Sequence, residues 1–555
     1  MLSSGRLVYS GTCNSHFTAD LEGAVGLPAG FLVGARLLET GNRVAEHTPE
    51  GRLTFDLPLE ESAQRFVFET DREAPLVGAH LLTATPLGDS LPPIALRLAT
   101  TRGTNALLEG RGADLALFVN EGFGDLMRIG DQTRPDLFAL EIIRPEPLHA
   151  AVVEVPGRLD KDGNELEAID EEAVLVAGKR LLDDGIRTAC VSLLHSYRNP
   201  QGERSLAEGL RSIGFHTVIT SAEVSSRIHF GRRTETALID AYLAPLMEAY
   251  LADVEAGLPE ESPMRIMTSA GGLVSRERFR PIDSLLSGPA GGVVGAAAIG
   301  KRLGREKVIA FDMGGTSTDV SRYDGHYHYQ RELTVGPARL QCEALRIETV
   351  AAGGGSICMI DQGALKVGPG SAGASPGPAC YGEGGPLTIT DVHVLLGRLV
   401  PDQFAIPLDR SAAESCWKSF LSEHELAVEN GDVYLEGFLQ IANERMADAI
   451  RAISLREGAA PADYTLLAFG GAGGLHACAL AELLGIEEVL VPRDAGILSA
   501  RGLEQANLES QRERQVLALW EDVSESVDGW IDELRRTALS EIGLPEAACE
   551  ITVEG

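Results

Sequence analysis

The chain has 555 residues, with 48 Lys+Arg against 81 Asp+Glu, a formal net charge of −33. A field of that sign repels nucleic-acid backbones and anionic lipid surfaces, so neither class of binder is expected. A local loop with a metal ion can still hold one nucleotide. With 44% hydrophobic and 23% charged residues, the chain reads as globular and long enough for several domain-sized cores.

Residues 1–75 alternate short apolar runs with glycine and charge, as in FLVGARLLET and GRLTFDLPLE. They predict small antiparallel strands with turns at Gly11, Gly41 and Gly51. MLSSGRLVYSGT holds no apolar core of signal-peptide length. From 76 to about 215 strand and helix patterns alternate: ADLALFVN as a strand into a polar turn, Glu171 to Asp184 as a helix, TACVSLLHSY as a strand. That order indicates an α/β layer. Ser225 to Ala252 predicts a long amphipathic helix that Pro245 could kink. Leu285 to Gly300, LLSGPAGGVVGAAAIG, is too short and too glycine-broken to span a bilayer and predicts a packed internal helix. The end predicts a helix over Val523 to Ile542 and then a strand, ITVEG.

Several residues carry plain expectations. The eight cysteines show no CxxC spacing, which fits a reducing cytoplasm, buried thiols and no structural zinc site. Cys380 has no assignable His partner and is expected to be a buried thiol. Arg227, Arg232 and Arg233 are expected in helix-surface ion pairs. His326 and His328, in HYH, fall on one face of a strand, and an exposed hairpin tip is expected there rather than a metal pair. His476 is expected to cap or pack.

Glycine is over-represented, at 62 residues, about 11% against the usual ~7%. It clusters in SAGG (269–272), SGPAGG (287–292), DMGGTSTD (312–319), AAGGGS (351–356), VGPGSAGASPGPACYGEGG (367–385) and FGGAGG (469–474). In VIAFDMGGTSTDVSRY (308–323) a strand to Phe311, a tight turn over Asp312 to Thr316 and a returning strand from Asp319 would aim backbone N–H groups into a phosphate nest. Thr316, Ser317 and Thr318 add hydroxyls, and Asp312 and Asp319 have the oxygen chemistry that suits Mg²⁺. In DYTLLAFGGAGGLHACALAELLG a strand over Tyr464 to Phe469 runs through Gly470, Gly471, Gly473 and Gly474 into a helix, a junction that lets a nucleotide lie on backbone. A polar hairpin and a glycine-rich packing turn explain each loop taken alone. A DxGGT hairpin followed 155 residues later (Gly315 to Gly470, 470 − 315) by strand–GGxGG–helix is the layout of an actin, sugar-kinase or heat-shock-chaperone-like ATPase.

Longer stretches carry a more specific resemblance: TTRGTNALLEGRGADLALFVNEGFGDLMRIGDQTRPDLF (100–138), HSYRNP (195–200), SSRIHFGRRTETALIDAYLAPLM (225–247), LLSGPAGGVVGA (285–296), FDMGGTSTDVS (311–321), VGPGSAGASPGPACYG (367–382), TDVHVLLGRL (390–399) and FGGAGGLHACALAELLG (469–485). In this order they resemble the hydantoinase A / 5-oxoprolinase family. AAGGGSI, PDQF and EGFLQIANERMADAI look closer to its 5-oxoprolinase branch than to acetone carboxylase subunits.

The resemblance implies an α/β ATPase fold of two ribonuclease-H-like halves with a cleft, truncated at both ends. Family members open with a DxGGTFTD hairpin before the segment that here begins MLSSGRLVYSG, and ITVEG falls in the first strands of a further domain. The implied division is an N-terminal β-rich segment (1–75), a hydantoinase/oxoprolinase N-terminal domain (76–220), a hydantoinase A domain (221–505) and the start of a C-terminal domain (506–555).

The implied activity is ATP-dependent opening of a cyclic amide, with 5-oxo-L-proline to L-glutamate as the leading case, alongside a B-type subunit or domain and in an oligomer. The implied cofactors are ATP and Mg²⁺. Asp312, Gly314, Gly315, Thr316, Ser317 and Asp319 would form the phosphate and metal loop, with Asp312, Thr316 and Asp319 catalytic. Gly353, Gly354 and Gly355 would form a second phosphate-facing turn, and Gly470, Gly471, Gly473 and Gly474 the adenosine loop. Thr101, Gly103, Thr104, Asn105, Arg134 and Asp136 would meet the substrate, although TTRGTNALLE also reads as a helix start capped by Thr104. Hydantoin, N-methylhydantoin and acetone-carboxylase-like chemistry remain alternatives, as does a non-catalytic nucleotide-binding scaffold.

Overall fold

A computed structural model describes the chain except for residues 1–5, 16, 22–25, 60–64, 133–145, 337, 401–403, 405–407 and 554–555. Among the described residues no helix is long and apolar enough to cross a membrane. The N-terminal alternation yields β1 (Leu7–Ser15), β2 (Thr18–Leu21), β3 (Arg36–Leu37), β4 (Val44–His47), β5 (Arg52–Phe55) and β6 (Arg65–Glu69), an antiparallel sheet in the order β3-β6-β1-β2-β5-β4. Its period-2 pattern buries Leu7, Leu21, Leu53, Phe55, Phe66 and Phe68 on one face. Gly41 and Gly51 sit in turns as expected, at φ +78° and +85°. Gly11 does not: it pairs with Leu21 inside β1, and the hairpin reverses between Ser15 and Thr18. The strand pattern continues on both sides of Gly11, and a glycine accepts extended backbone as readily as a turn.

After α1 (Arg102–Glu109) the alternating strands and helices form a second layer. Strands β7 (Leu115–Asn120), β8 (Ala151–Val155), β9 (Thr188–Ser192) and β10 (Thr217–Thr220) make an all-parallel sheet in the order β10-β9-β7-β8. Its helices are α2 (Glu171–Asp183) and α3 (Gln201–Ile213). The strands β7 and β9 are continuous buried runs, as a sheet covered on both faces requires. Chain order reverses between β7 and β9, and a cavity of about 300 Å³ opens beyond their carboxyl ends, lined by Asn120, Arg158, Leu193, Asn199 and Gln201.

The long helix α4 (Phe230–Ala256) carries Pro245 within one continuous span. Its Arg233 departs from the expected surface ion pair. The side chain is wholly buried, donating to Ser221 Oγ (3.0 Å), Arg227 O (3.0 Å) and Leu193 O (2.7 Å). The buried Glu203 carboxylate accepts from the same Ser221 hydroxyl at 2.6 Å. Arg232 and Arg227 do pair at the surface, with Asp131 and Glu513.

Further along lie α5 (Ser287–Arg302), β11 (Lys307–Met313), β12 (Thr318–Asp324), β13 (Ile347–Val350), α6 (Ile389–Leu395), α7 (Gly431–Leu455), β14 (Thr465–Phe469), α8 (Gly473–Leu484), β15 (Val489–Leu490) and α9 (Leu498–Gln505). The strands form one sheet in the order β13-β12-β11-β14-β15. The first three are an antiparallel meander and the last two run parallel to β11. This 3-2-1-4-5 order is the ribonuclease-H-like half of the expected ATPase fold, and the α/β class holds throughout. The terminal helix α10 runs over Trp520–Ile542, but Ile551 to Val553 form no strand. That segment is exposed and pairs with no strand among the described residues.

Helices α5 and α9 touch through backbone. A Cβ on Gly502 would overlap the Gly291 carbonyl, and one on Gly291 would lie 2.6 Å from Ser499 O. Gly529, mid-way along α10, has nothing within 4 Å of its Cβ direction. Gly502→Ala is therefore expected to destabilise by ~1–3 kcal/mol, and Gly529→Ala to stabilise by up to ~1 kcal/mol. Thermal melts of the two variants should move in opposite directions from the parent; a shared direction contradicts the backbone contact.

Two imidazoles hold α6, α7 and α8 together. His476 Nδ1 donates to Asn443 Oδ1 at 2.6 Å, and His393 Nε2 lies 3.1 Å from His476 Nε2. Asn443 fixes the tautomer: His476 Nε2 accepts, so His393 Nε2 donates. Burial, and for His393 the adjacent imidazole, pushes both below the ordinary value. A group lowered in the fold takes up its proton on unfolding. Stability from this pair is present above about pH 6.5 and lost as pH falls below it, by up to ~1.4 kcal/mol per imidazole per pH unit. The melting temperature should fall more between pH 7 and pH 5 for the parent than for His393→Leu. Equal falls would show that the pair does not titrate on unfolding.

Candidate functional site

Strand β11 has an apolar run over Val308 to Phe311 and carries on through Asp312 and Met313, two residues further than expected, so the turn is Gly314 to Ser317. Gly314 N donates to Ser317 O at 3.0 Å and closes it. Because β11 and β12 pair antiparallel, Asp312 stands directly opposite Asp319, and paired positions share one face of a sheet. Burial first, then the negative charge of Asp319, raises Asp312 to about 6. Burial raises Asp319 as well. Each carboxylate has a single hydroxyl donor: Ser499 Oγ to Asp312 Oδ2 at 3.3 Å, and Thr349 Oγ1 to Asp319 Oδ1 at 2.6 Å. Two facing carboxylates short of donors are a fit for a hard divalent cation.

Two further glycine loops, far apart in sequence, close on this turn. Gly354 N and Gly355 N donate to Gly314 O and Gly315 O at 3.0 and 2.6 Å, and Ala472 N donates to Met313 O at 3.0 Å. The fit is possible only without side chains at two points. A Cβ on Gly353 would lie 2.7 Å from Gly315 O, and Gly470, at φ +78°, packs against Asp312 itself. Gly315, Gly471 and Gly474 have nothing within 4 Å of a Cβ and no positive φ. Neither packing nor backbone conformation calls for glycine there, whereas the close approach of a ligand would. Thr316 is exposed, Ser317 half-buried, and Gly354 O takes two hydrogen bonds from Thr390 at the start of α6.

The helix α8 starts at Gly473, two residues earlier than the pattern suggested, and its N-cap Ala472 gives no side-chain cap hydrogen bond. His476 packs, as expected, into the buried contact with His393 and Asn443. Cys380 is a buried thiol raised by burial, and all eight cysteines are free.

The first-half residues divide. Helix α1 begins at Arg102 with Thr101 at the N-cap position, so Thr104 is not the cap. Its hydroxyl instead donates to Leu285 O at 2.5 Å, and Gly103 is buried against Ser284 and Leu243. Both serve the docking of α1 on the start of α5. Thr101 and Asn105 are exposed. A Cβ on Gly288 would lie 3.6 Å from the Thr101 methyl, and one on Gly292, one helical turn along α5, 3.2 Å from Ser499 Oγ. Arg134 and Asp136 lie outside the described residues.

Sequence reading missed Ser499, Thr349 and the His393–His476–Asn443 contact. Ser499 sits 187 residues from its partner Asp312, and no local pattern marks it. Thr349 could have been found by counting register along the meander.

Residues 88–214 match the profile of the hydantoinase/oxoprolinase N-terminal region, and residues 233–512 match that of hydantoinase/oxoprolinase. A 5-oxoprolinase of Pestalotiopsis fici is 40% identical over 470 residues, 76% of this chain and 36% of that enzyme. The chain therefore spans about a third of the length of that relative. The crystal structure of the ATP-dependent caprolactamase from Pseudomonas jessenii superposes with a TM-score of 0.72 at 27% identity, covering 89% of this chain and 75% of the other. A nucleotide-free acetone carboxylase, described with a mechanism of ATP-dependent acetone carboxylation, gives 0.67 at 26%, covering 82% and 69%. With both profiles matched in chain order and the fold shared, the chain belongs to the hydantoinase/oxoprolinase family.

Proposed function

We propose that this chain is the ATP-using part of an enzyme that hydrolyses a cyclic amide, with 5-oxo-L-proline, ATP and water giving L-glutamate, ADP and phosphate. The observation that carries this is the closure of three bare-backbone loops around the opposed Asp312 and Asp319 carboxylates. The 40% identity to a 5-oxoprolinase supports that choice of substrate. In this reading the N–H groups of Gly314 to Ser317, with the Thr316 and Ser317 hydroxyls, hold the β- and γ-phosphates. The 353–355 loop backs them, and Gly470, Gly471, Gly473 and Gly474 lie along the adenosine. Asp312 and Asp319 hold Mg²⁺, which when bound supplies charge neutralisation on the transferring phosphoryl group. Thr101 and Asn105, with Arg134 and Asp136, face the lactam.

The lactam oxygen attacks the γ-phosphorus and ADP leaves, so the ring carbon becomes an activated imidate. Water adds at that carbon and the C–N bond breaks, opening the ring to an amine and an acyl phosphate; a second water hydrolyses the acyl phosphate, so phosphate departs and the carboxylate remains. A B-type subunit or domain is assigned the water-addition step. The eight free thiols fit a cytoplasmic setting.

With the B-type partner present, 5-oxoproline should stimulate ATP hydrolysis more than hydantoin or N-methylhydantoin. Carboxylation dependent on acetone and bicarbonate would replace this reading with the carboxylase one. A chain with no calorimetric affinity for Mg-ATP would be a scaffold.

Asp312 adds two expectations. Its carboxyl titrates near 6, so protons compete with the cation below that pH and Mg-ATP affinity should drop as pH falls through 6. Asp312→Asn should flatten that drop and lower turnover by at least ~100-fold. The same variant should raise the melting temperature of the nucleotide-free protein at pH 7.5, because a carboxylate raised in the fold destabilises it when ionised. A lower melting temperature would contradict the assigned repulsion.

A further inference from the structure

Strand β12 ends at Asp324, and the chain turns through Gly325 so tightly that Tyr327 bridges back to Tyr323. That return brings both histidines of HYH round one carboxylate. Asp324 Oδ1 lies 3.3 Å from His326 Nδ1 and 2.8 Å from His328 Nε2. The imidazole centroids are 4.7 Å apart, and the three ligand atoms lie within 4.8 Å of one another. The other oxygen, Oδ2, is taken up by the Tyr464 hydroxyl at 3.2 Å and Arg322 at 3.3 Å, which leaves Oδ1 turned to the imidazoles. Behind His328, Nδ1 is 3.4 Å from both Arg322 and Glu457 Oε2. Glu457 is itself fixed by Arg322 and Arg346.

The Asp324–His326 separation is that of two ligands on one ion, and the 2.8 Å Asp324–His328 contact is a hydrogen bond that an ion at Nε2 would replace. Donors at 2.0–2.1 Å from a tetrahedral ion stand about 3.3 Å apart. Two imidazoles and a carboxylate are the donor set of borderline first-row ions, not of Mg²⁺. Ligating histidines normally give their second N–H to a carboxylate, and Glu457 stands in that place. As the groups lie, His328 Nε2–H donates to Asp324 and Nδ1 accepts from Arg322. An ion at Nε2 would move that proton to Nδ1, toward Glu457.

We propose that Asp324, His326 and His328 bind one first-row divalent ion, with Zn²⁺ the ion they match, and that Glu457 orients His328. The site is five residues along β12 from Asp319, about 17 Å, and so is separate from the phosphate loops. It joins the end of β12 to the segment just after α7 and the start of β14.

Protein stripped with a chelator should take up one equivalent of Co²⁺ with the visible d–d absorption of a four- or five-coordinate site, displaced by Zn²⁺. His326→Ala should abolish that equivalent. Its side chain is 71% exposed, so the fold should survive, as a melt will verify. Glu457→Gln should weaken binding by ~10–100-fold. Asp312→Asn should leave Co²⁺ uptake unchanged, which separates this site from the proposed Mg²⁺ site. A parent protein that takes up no Co²⁺ or Zn²⁺, or a His326→Ala protein that binds as the parent does, overturns the assignment.

Discussion

Two like charges face each other across the β11–β12 pair, and much of the surrounding structure keeps them there. Asp312 and Asp319 repel, and burial raises both. A soluble protein would ordinarily turn such residues outward or pair them with cations. Here the register of the meander fixes them opposite one another. Gly470 clamps Asp312 from one side and Ser499 holds it from another. Ser499 can reach only because α9 lies on α5 with no side chain between Gly291 and Gly502. The helix–helix contact and the carboxylate geometry are therefore one constraint seen at two places.

The same economy of side chains shapes the loops. The 353–355 and 470–474 segments approach the 314–317 turn closely enough for backbone-to-backbone hydrogen bonds, because all three loops leave the carboxyl ends of strands of one sheet, β13, β14 and β11. Thr390 ties the first of them to α6, and the His393–His476 contact ties α6 to α8, where the second loop ends. A displacement of either helix would pass directly to the loop it carries. The buried imidazoles thus tie the two loop-bearing helices to each other.

Legibility followed the range of the interactions. The hairpin at 312–319 and the strand–glycine–helix at 465–484 were readable because an apolar run, a glycine turn and a change of period are local signals. Their union, though not its geometry, was implied by their spacing and the family resemblance. Arg233 was misread because a helix-surface pattern cannot show that Ser221, Leu193 and Arg227 wrap around it. Thr104 was misread as a cap because its partner, Leu285 O, lies 181 residues away. Gly11 was misread because glycine suits a turn and an extended strand equally. In HYH the two imidazoles do meet, but across the turn that follows β12 rather than along a strand, and His326 is exposed there as expected; Asp324, two residues before His326, was not part of that reading.

Charge closes the argument about the nucleotide. The segments 314–317, 353–355 and 470–474 contain no Lys or Arg, and the chain as a whole carries −33. On the proposed reading a polyphosphate approaches two carboxylates within a negative field, with only backbone N–H groups and hydroxyls to meet it. Such dipoles orient an anion well but neutralise little of its charge. A divalent cation held by Asp312 and Asp319 changes the sign of the local field and removes the repulsion between the carboxylates in the same step. Nucleotide affinity and the stability of this hairpin are then linked through one ion, and each should rise with the free concentration of that ion.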